Sequence, residues 1–445
     1  MYSVLDYGAV ADGRTLCREA FQAAVDACAA AGGGTVFVPA GTYLLGTVVM
    51  RSHVHVHIEA GATVLGSTEF ERDYLPRETL PYAKYQDDSH SFFDHSLFLA
   101  KDCCDIGFSG HGRIDMQGVF TDLEHGQYYR TVKIFSLCSC RDVSLSDLTL
   151  LRAADLAIWM VDCERVRIHG LSLDVLVDGI TPDGCRDVVI SDCLVTADDD
   201  AIVLKSTFVL GRFIPCEHIA ISNCVISSNA SAFKIGTETN GDFRNISLTG
   251  CTIKNVRRAG IAVESVDGAN ISGVTISNIA MYNVATPFYF RLGSRLRAPE
   301  GTPIGSISDV TITNVFADNP RLPYKTHYIF LPGQQCIGPM HTAFENSSQI
   351  QGIPTHPIEH LTMRDVTIVT AGGKSPETAL PWPLPEKDNA YPDTNMYGWD
   401  KALPASCLVM RHVRDARFEN VVLRTNKPDT RPLRLIDDVE LFEKK

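Results

Sequence analysis

The chain has 445 residues, 21% charged and 45% apolar, which is enough for a sizeable core and excludes global disorder. Its net charge of −13 argues against nucleic acid or any other polyanion as the main partner. No apolar run is long enough to span a bilayer, so no membrane is expected either.

The N-terminus "MYSVLDYGAVADG" lacks a basic stretch followed by an apolar core, so no signal peptide is visible and a cytoplasmic location is expected. "LCREAFQAAVDACAAAGG" (Leu16 to Gly33) carries apolar residues at helical spacing and ends on glycine. It predicts one helix, placed to cover the N-terminal end of the fold.

A repeat occupies most of the remaining chain. "CRDVSLSDLTL" (from Cys140), "CERVRIHGLSL" (from Cys163), "CRDVVISDCLV" (from Cys185) and "CEHIAISNCVI" (from Cys216) share one pattern. "FRNISLTGCTI", "GANISGVTISNI", "ISDVTITNVFA", "IEHLTMRDVTI" and "VRDARFENVVL" continue it to Leu423. Alternation of apolar and polar residues predicts short strands, with Asp, Asn and Gly at the bends between them. Cys140, Cys163 and Cys185 stand 23 and 22 residues apart, the length of one coil of a parallel β-helix. No amphipathic helical patterns separate the strands, which argues against an alternating βα fold. One domain over residues 1–445 is expected, with cap and first coil in about 1–50 and a Pro-rich excursion over about 372–406.

Most of the 14 cysteines lie inside strand-like runs without a disulfide spacing, and they read as free, buried thiols. No Cys pairs suggest zinc, and no metal or cofactor is expected.

Against this pattern "VTADDDAIVLKS" (Val195 to Ser206) places three aspartates beside an apolar strand. Asp alone could mark a turn. Asp178, however, lies 21 residues before Asp199 and 22 before Asp200, one coil earlier, so the three carboxylates should cluster on neighbouring strands about 4.8 Å apart. Like charges at that distance raise the pKa of at least one member. A protonated acid beside an ionised carboxylate is the pair that glycoside hydrolysis requires.

The stretch "VDGITPDGCRDVVI…ADDDAIVLKS" resembles glycoside hydrolase family 28, the polygalacturonases. "DYGAVADG", "GGGTVFVPAGTYLLGTV", "GHGRIDMQG", "GIPTHPIEHLTMRDV" and "LRTNKPDTRPLRLIDDV" extend the resemblance over most of the chain. The resemblance implies a right-handed, single-stranded parallel β-helix, an all-β solenoid with an N-terminal capping helix, and hydrolysis with inversion. It implies that Asp178, Asp199 and Asp200 are catalytic, with Asp200 as general acid and the other two holding the water.

The sequence departs from the family at substrate recognition. "LVD" stands for Asn-Thr-Asp, Asp198 for a glycine, Ala230 for the histidine of His-Gly, and Ala262 and Glu264 for the Arg and Lys of Arg-Ile-Lys. Those two cations pair with the substrate carboxylate in polygalacturonases, whereas Glu264 would repel it. A neutral sugar, or a uronate held in another way, is expected as part of a pectin-related oligosaccharide, with an exo-polygalacturonase of rebuilt carboxylate recognition as the alternative.

Substrate contacts are nominated at Lys205, Lys234, Glu238, Arg244, Glu264 and Arg291. A lone cation on a β-helix face is ordinarily solvated, but Lys205 and Lys234 interrupt apolar strands, which points them into the groove or onto a carboxylate. His111 and His356 read as structural and Trp159 as core. Trp382, Tyr391 and Trp399 on the excursion are candidates to stack on sugar, as well as to pack the loop itself. The insertion Leu322 to Gly352 is a candidate to close one end of the groove or to make a dimer contact.

Two other readings stay open. A calcium-dependent polysaccharide lyase would place Ca²⁺ on the aspartates and use Lys205 as base. A non-enzymatic, glycan-binding β-helix would have no use for stacked carboxylates, which only lower its stability.

Overall fold

A computed structural model describes residues 1–118, 131–320, 347–398 and 401–444. Contacts divide the chain into two compact units, the first mainly Met1–Asp199 and the second mainly Asp200–Phe208 and Arg212–Lys445. Both are coils of parallel β-helix. Among the described residues, no helix is long and apolar enough to cross a membrane.

In the first unit the 22-to-23-residue repeat becomes a register. Strands Arg141–Ser146, Glu164–His169 and Arg186–Ser191 pair in parallel, stacking Val143 on Val166 on Val188 and Leu145 on Ile168 on Ile190. Leu150, Leu173 and Val195 form a second buried stack. Phe135, Ile158 and Ile180 form a third. Each coil thus buries the same apolar face against its neighbours, which is why an alternating pattern with a fixed period specifies a solenoid. The bends fall on the polar residues between strands. Asp147, Gly170 and Asp192 hold equivalent places with φ of 62°, 65° and 57°. Asp tolerates that left-handed conformation because its side chain bonds to nearby backbone.

The helix spans Arg18–Ala30 and buries Ala20, Phe21, Ala24, Val25 and Cys28, with the Phe21 ring 5.8 Å from that of Tyr43. It is shorter than the predicted span. Leu16 ends a strand, and Gly32 and Gly33 take φ of 92° and 110°, which helix does not allow.

In the second unit the coils lengthen while the register persists. Phe233 stacks on Ile261 and Phe288, and Ile235 on Val263, Phe290, Ile350 and Met410. Among the described residues no two of the thirteen cysteines form a disulfide, and every one except Cys104 is buried. Cys163 and Cys185 donate to the carbonyls of Leu137 and Met160, one coil back.

The Pro-rich excursion is not a free surface loop. Leu384, Leu403 and Ala405 form an apolar cluster with Val409, and Trp382 and Tyr397 pack against it. Trp382 is therefore part of the loop's own core rather than a sugar platform. Polar contacts tie the excursion to the second unit's strands: Arg291 donates to Lys387 O at 2.7 Å, Gln349 to Thr394 O at 2.8 Å and Tyr397 to Gln351 at 2.8 Å. Trp399 and most of the insertion Leu322 to Gly352 lie outside the described residues.

Candidate active site

Asp178 and Asp200 hold the same place in their coils, at the end of a bend two residues before a strand, Ile180–Asp183 and Ile202–Ser206 respectively. The strand after each bend is buried throughout, so the bend residues are held on a rigid edge. Asp178 is 3% exposed and Asp200 5%, while Asp199 is partly exposed. In the first unit, Asp178 and Asp199 bring carboxylate oxygens within 4.8 Å of one another. That is close enough for one water to bond both. Asp200 follows Asp199 by one peptide bond and begins the second unit.

Asp200 sits in a buried charged set. Its Oδ1 accepts from Ser231 N at 3.0 Å, and its Oδ2 lies 3.2 Å from Lys234 Nζ. Lys234 Nζ also lies 3.7 Å from Glu264 Oε2, which has no hydrogen-bond partner among the described residues. Burial opposes ionisation of Asp200, but Lys234 and Lys205 outweigh it and hold the carboxyl below the usual range. Glu264 moves the other way. Burial pushes it up to about 7, against Lys234, with Asp200 adding to the rise. The rise expected from stacked charge is not found on Asp200; the raised carboxyl of this set is Glu264, and burial is its main cause.

Glu264 makes stability depend on pH. Between its ordinary value of 4.5 and about 7, the folded chain keeps a proton that the unfolded chain releases. The resulting stability is fully present below 4.5 and is lost as pH rises through that window. Glu264→Gln should therefore match wild type in melting temperature at about pH 4 and exceed it at about pH 8. Parallel melting curves at all pH values would rule this out.

The other nominated residues separate into groups. Lys205 bonds Glu238 at 2.8 Å, and Glu238 also pairs with Arg297, so both lie in a buried ionic chain of the second unit. Arg291 directs its guanidinium to the carbonyls of Gly352 and Lys387, so it anchors the excursion. Arg244 is half-exposed, pairs with Asp242 and Glu217, and is not brought to the Asp200–Lys234–Glu264 set. His111 is exposed, and the His356 ring bonds its neighbour Thr355 while its backbone pairs with Ile353. Tyr391 is 52% exposed, lies 3.5 Å from Thr237 Oγ1, and carries the Arg295 guanidinium 5.4 Å from its ring centre.

Sequence reasoning missed several charged residues. In the second unit Arg295 bonds Asp267 at 2.9 Å behind Tyr391. In the first unit Lys133 is fully buried, 3.1 Å from the Phe92 ring centre and 4.0 Å from Asp155 Oδ2, and burial lowers it to about 7. Trp159, correctly placed in the core, stacks on Phe93 at 4.6 Å and donates to Asp183 at 3.2 Å. Lys133 carried the signal that singled out Lys205 and Lys234, a lysine inside an apolar strand ("VKIFSL"). Arg295 and Arg297 lie in an aperiodic loop, where no such contrast exists.

Comparison with known proteins adds to this geometry. The model of the family "Glycosyl hydrolases family 28" matches residues 28–336. A probable polygalacturonase of Vitis vinifera is 23% identical over 403 residues, covering 85% of this chain and 76% of that protein. Among solved structures, a family 28 exopolygalacturonase from Yersinia enterocolitica aligns over 100% of this chain and 78% of its own, with a TM-score of 0.72 and 19% identity. A hyperthermoactive exopolygalacturonase from Thermotoga maritima aligns over 96% and 91%, with a TM-score of 0.69 and 19% identity. At these identities the structural likeness speaks for the fold.

Proposed function

The chain belongs to glycosyl hydrolase family 28, and from that premise we propose that it cleaves pectin-related oligosaccharides with inversion, using Asp178, Asp199 and Asp200, at a linkage where the sugar beside Glu264 is neutral. The observation that carries the catalytic part is the approach of Asp178 and Asp199 to within 4.8 Å. Between them a water is oriented and gives up its proton as it attacks the anomeric carbon. Asp200, the next residue, serves as the acid that protonates the departing glycosidic oxygen. Its ordered backbone partner, Ser231 N, fixes the direction of the carboxyl.

The neutral sugar is supported by charge. Lys234 lies between Asp200 and Glu264 and is shared by both carboxylates. A uronate carboxylate arriving there would find Lys234 already shared between Asp200 and Glu264, in a buried setting where charge interactions are strong. A sugar hydroxyl can instead donate to Glu264 Oε2, which lacks a hydrogen-bond partner among the described residues.

The test is reducing-end release from trigalacturonate, rhamnogalacturonan fragments and neutral oligosaccharides, with the first-formed anomer followed by proton NMR. Cleavage of a substrate that places a neutral residue at this subsite, with inversion, is expected. Efficient cleavage of trigalacturonate alone would overturn the neutral-sugar reading and leave the aspartates in place. A retained anomer would overturn the division of roles among the aspartates.

A further inference from the structure

The second unit holds a cavity that the chemistry above does not use. It measures about 500 Å³ and is lined by Phe213, Asn240, Asp242, Arg244, Pro299 and Thr302, among others. That volume suits one or two sugar rings. Its walls are built rigidly. Asn240 N bonds Ser206 O at 2.8 Å, and Ser206 Oγ donates to Ile214 O at 2.7 Å. The turn Pro299–Pro303 closes with a bond from Thr302 Oγ1 to Pro299 O at 2.7 Å. Gly268 lets this turn approach: at φ of +110° a Cβ there would fall 2.4 Å from Thr302 Cγ2.

Two features point to a ligand. Asn240 is 4% exposed, yet neither its amide nitrogen nor its amide oxygen has a hydrogen-bond partner among the described residues. A buried amide without partners is costly, and natural structures rarely keep one without a reason. Phe213, in contrast, is 50% exposed, with the Phe208 ring 5.1 Å away supporting it edge-on. An exposed aromatic face beside Pro215, Pro299 and Pro303 is an apolar platform.

The charges on the lining decide what fits. Asp242 and Glu300 are acidic, and Arg244 is committed to Asp242 and Glu217. In a chain of net charge −13, such a lining disfavours an anion. An uncharged ring with an apolar face and adjacent hydroxyls meets every demand. The face lies on Phe213, and a hydroxyl pair supplies the acceptor and donor that the Asn240 amide lacks.

We propose that this cavity is a second carbohydrate-binding site, taking a neutral sugar unit of a glycan away from the bond that is cut. Arg244 belongs to this site rather than to the catalytic one. The proposal does not draw on the roles given to the three aspartates.

The test uses the full chain as Asp200→Asn, so that ligand survives, titrated calorimetrically with a neutral galactan tetrasaccharide, a neutral arabinan tetrasaccharide and trigalacturonate. Phe213→Ala and Asn240→Ala are added on that background, with melting temperatures as the check on folding. At least one neutral tetrasaccharide should bind, and Phe213→Ala should weaken it about fivefold while leaving the trigalacturonate isotherm unchanged. Absence of neutral binding, neutral affinities unchanged in both variants, or an equal loss for trigalacturonate would each overturn the proposal.

Discussion

Asp200→Asn is expected to lower kcat by about 10³-fold on the natural substrate, within the range that a positioned general acid contributes. Asparagine keeps the shape of the side chain and can still accept from Ser231 N, so KM should change little, while loss of the charge opposite Lys234 should lower the melting temperature. The informative comparison is a substrate whose leaving group needs no proton, such as a nitrophenyl glycoside of the same sugar. There the Asp200→Asn defect should shrink to about tenfold, because the acid's work has been done by the leaving group. Asp178→Asn should remain equally defective on both substrates, since water must still be activated. A full Asp200→Asn defect on the activated substrate would show that Asp200 is not the acid.

The second large effect concerns pH. A general acid works in its protonated form, and that fraction falls tenfold for each pH unit above its pKa. Lys234 and Lys205 hold Asp200 low in spite of burial, so wild-type kcat/KM should be greatest on the acid side and fall toward neutrality. Removing the cation disfavours the carboxylate and raises the pKa. Lys234→Met should therefore move the falling limb of log kcat/KM upward by about one to two units, the usual influence of an adjacent cation on an aspartate. Glu264 is still protonated where Asp200 titrates, so Glu264→Gln should leave the limb in place. Profiles between about pH 3 and pH 9 would read both. A limb near neutral pH that disappears in Glu264→Gln and stays fixed in Lys234→Met would transfer the acid role to Glu264.

Much of the fold was legible because its information is periodic. Val143, Val166 and Val188 could be matched by counting alone, and the structure pairs them as counted. The helix was legible in kind but not in extent, since two glycines with positive φ end it before the apolar pattern does. The excursion was the least legible part. Its residues have no period, and its burial depends on contacts with strands distant in the chain, such as Tyr397 with Gln351, 46 residues earlier.

The site divides in the same way. Asp178, Asp199 and Asp200 were located by spacing, because one coil of the solenoid converts a difference of 21 or 22 residues into adjacency. The sequence by itself determined the solenoid, the position of its acidic edge and the loss of the two cations at Ala262 and Glu264. Only the tertiary structure decided how the charges are shared. Lys234 serves Asp200 and Glu264 together, Arg291 anchors a loop, and Arg244 joins the wall of another cavity. Those outcomes depend on side chains meeting within about 3 to 4 Å and on their removal from water, where charge interactions strengthen. Both conditions are set by loops whose course carries no repeat.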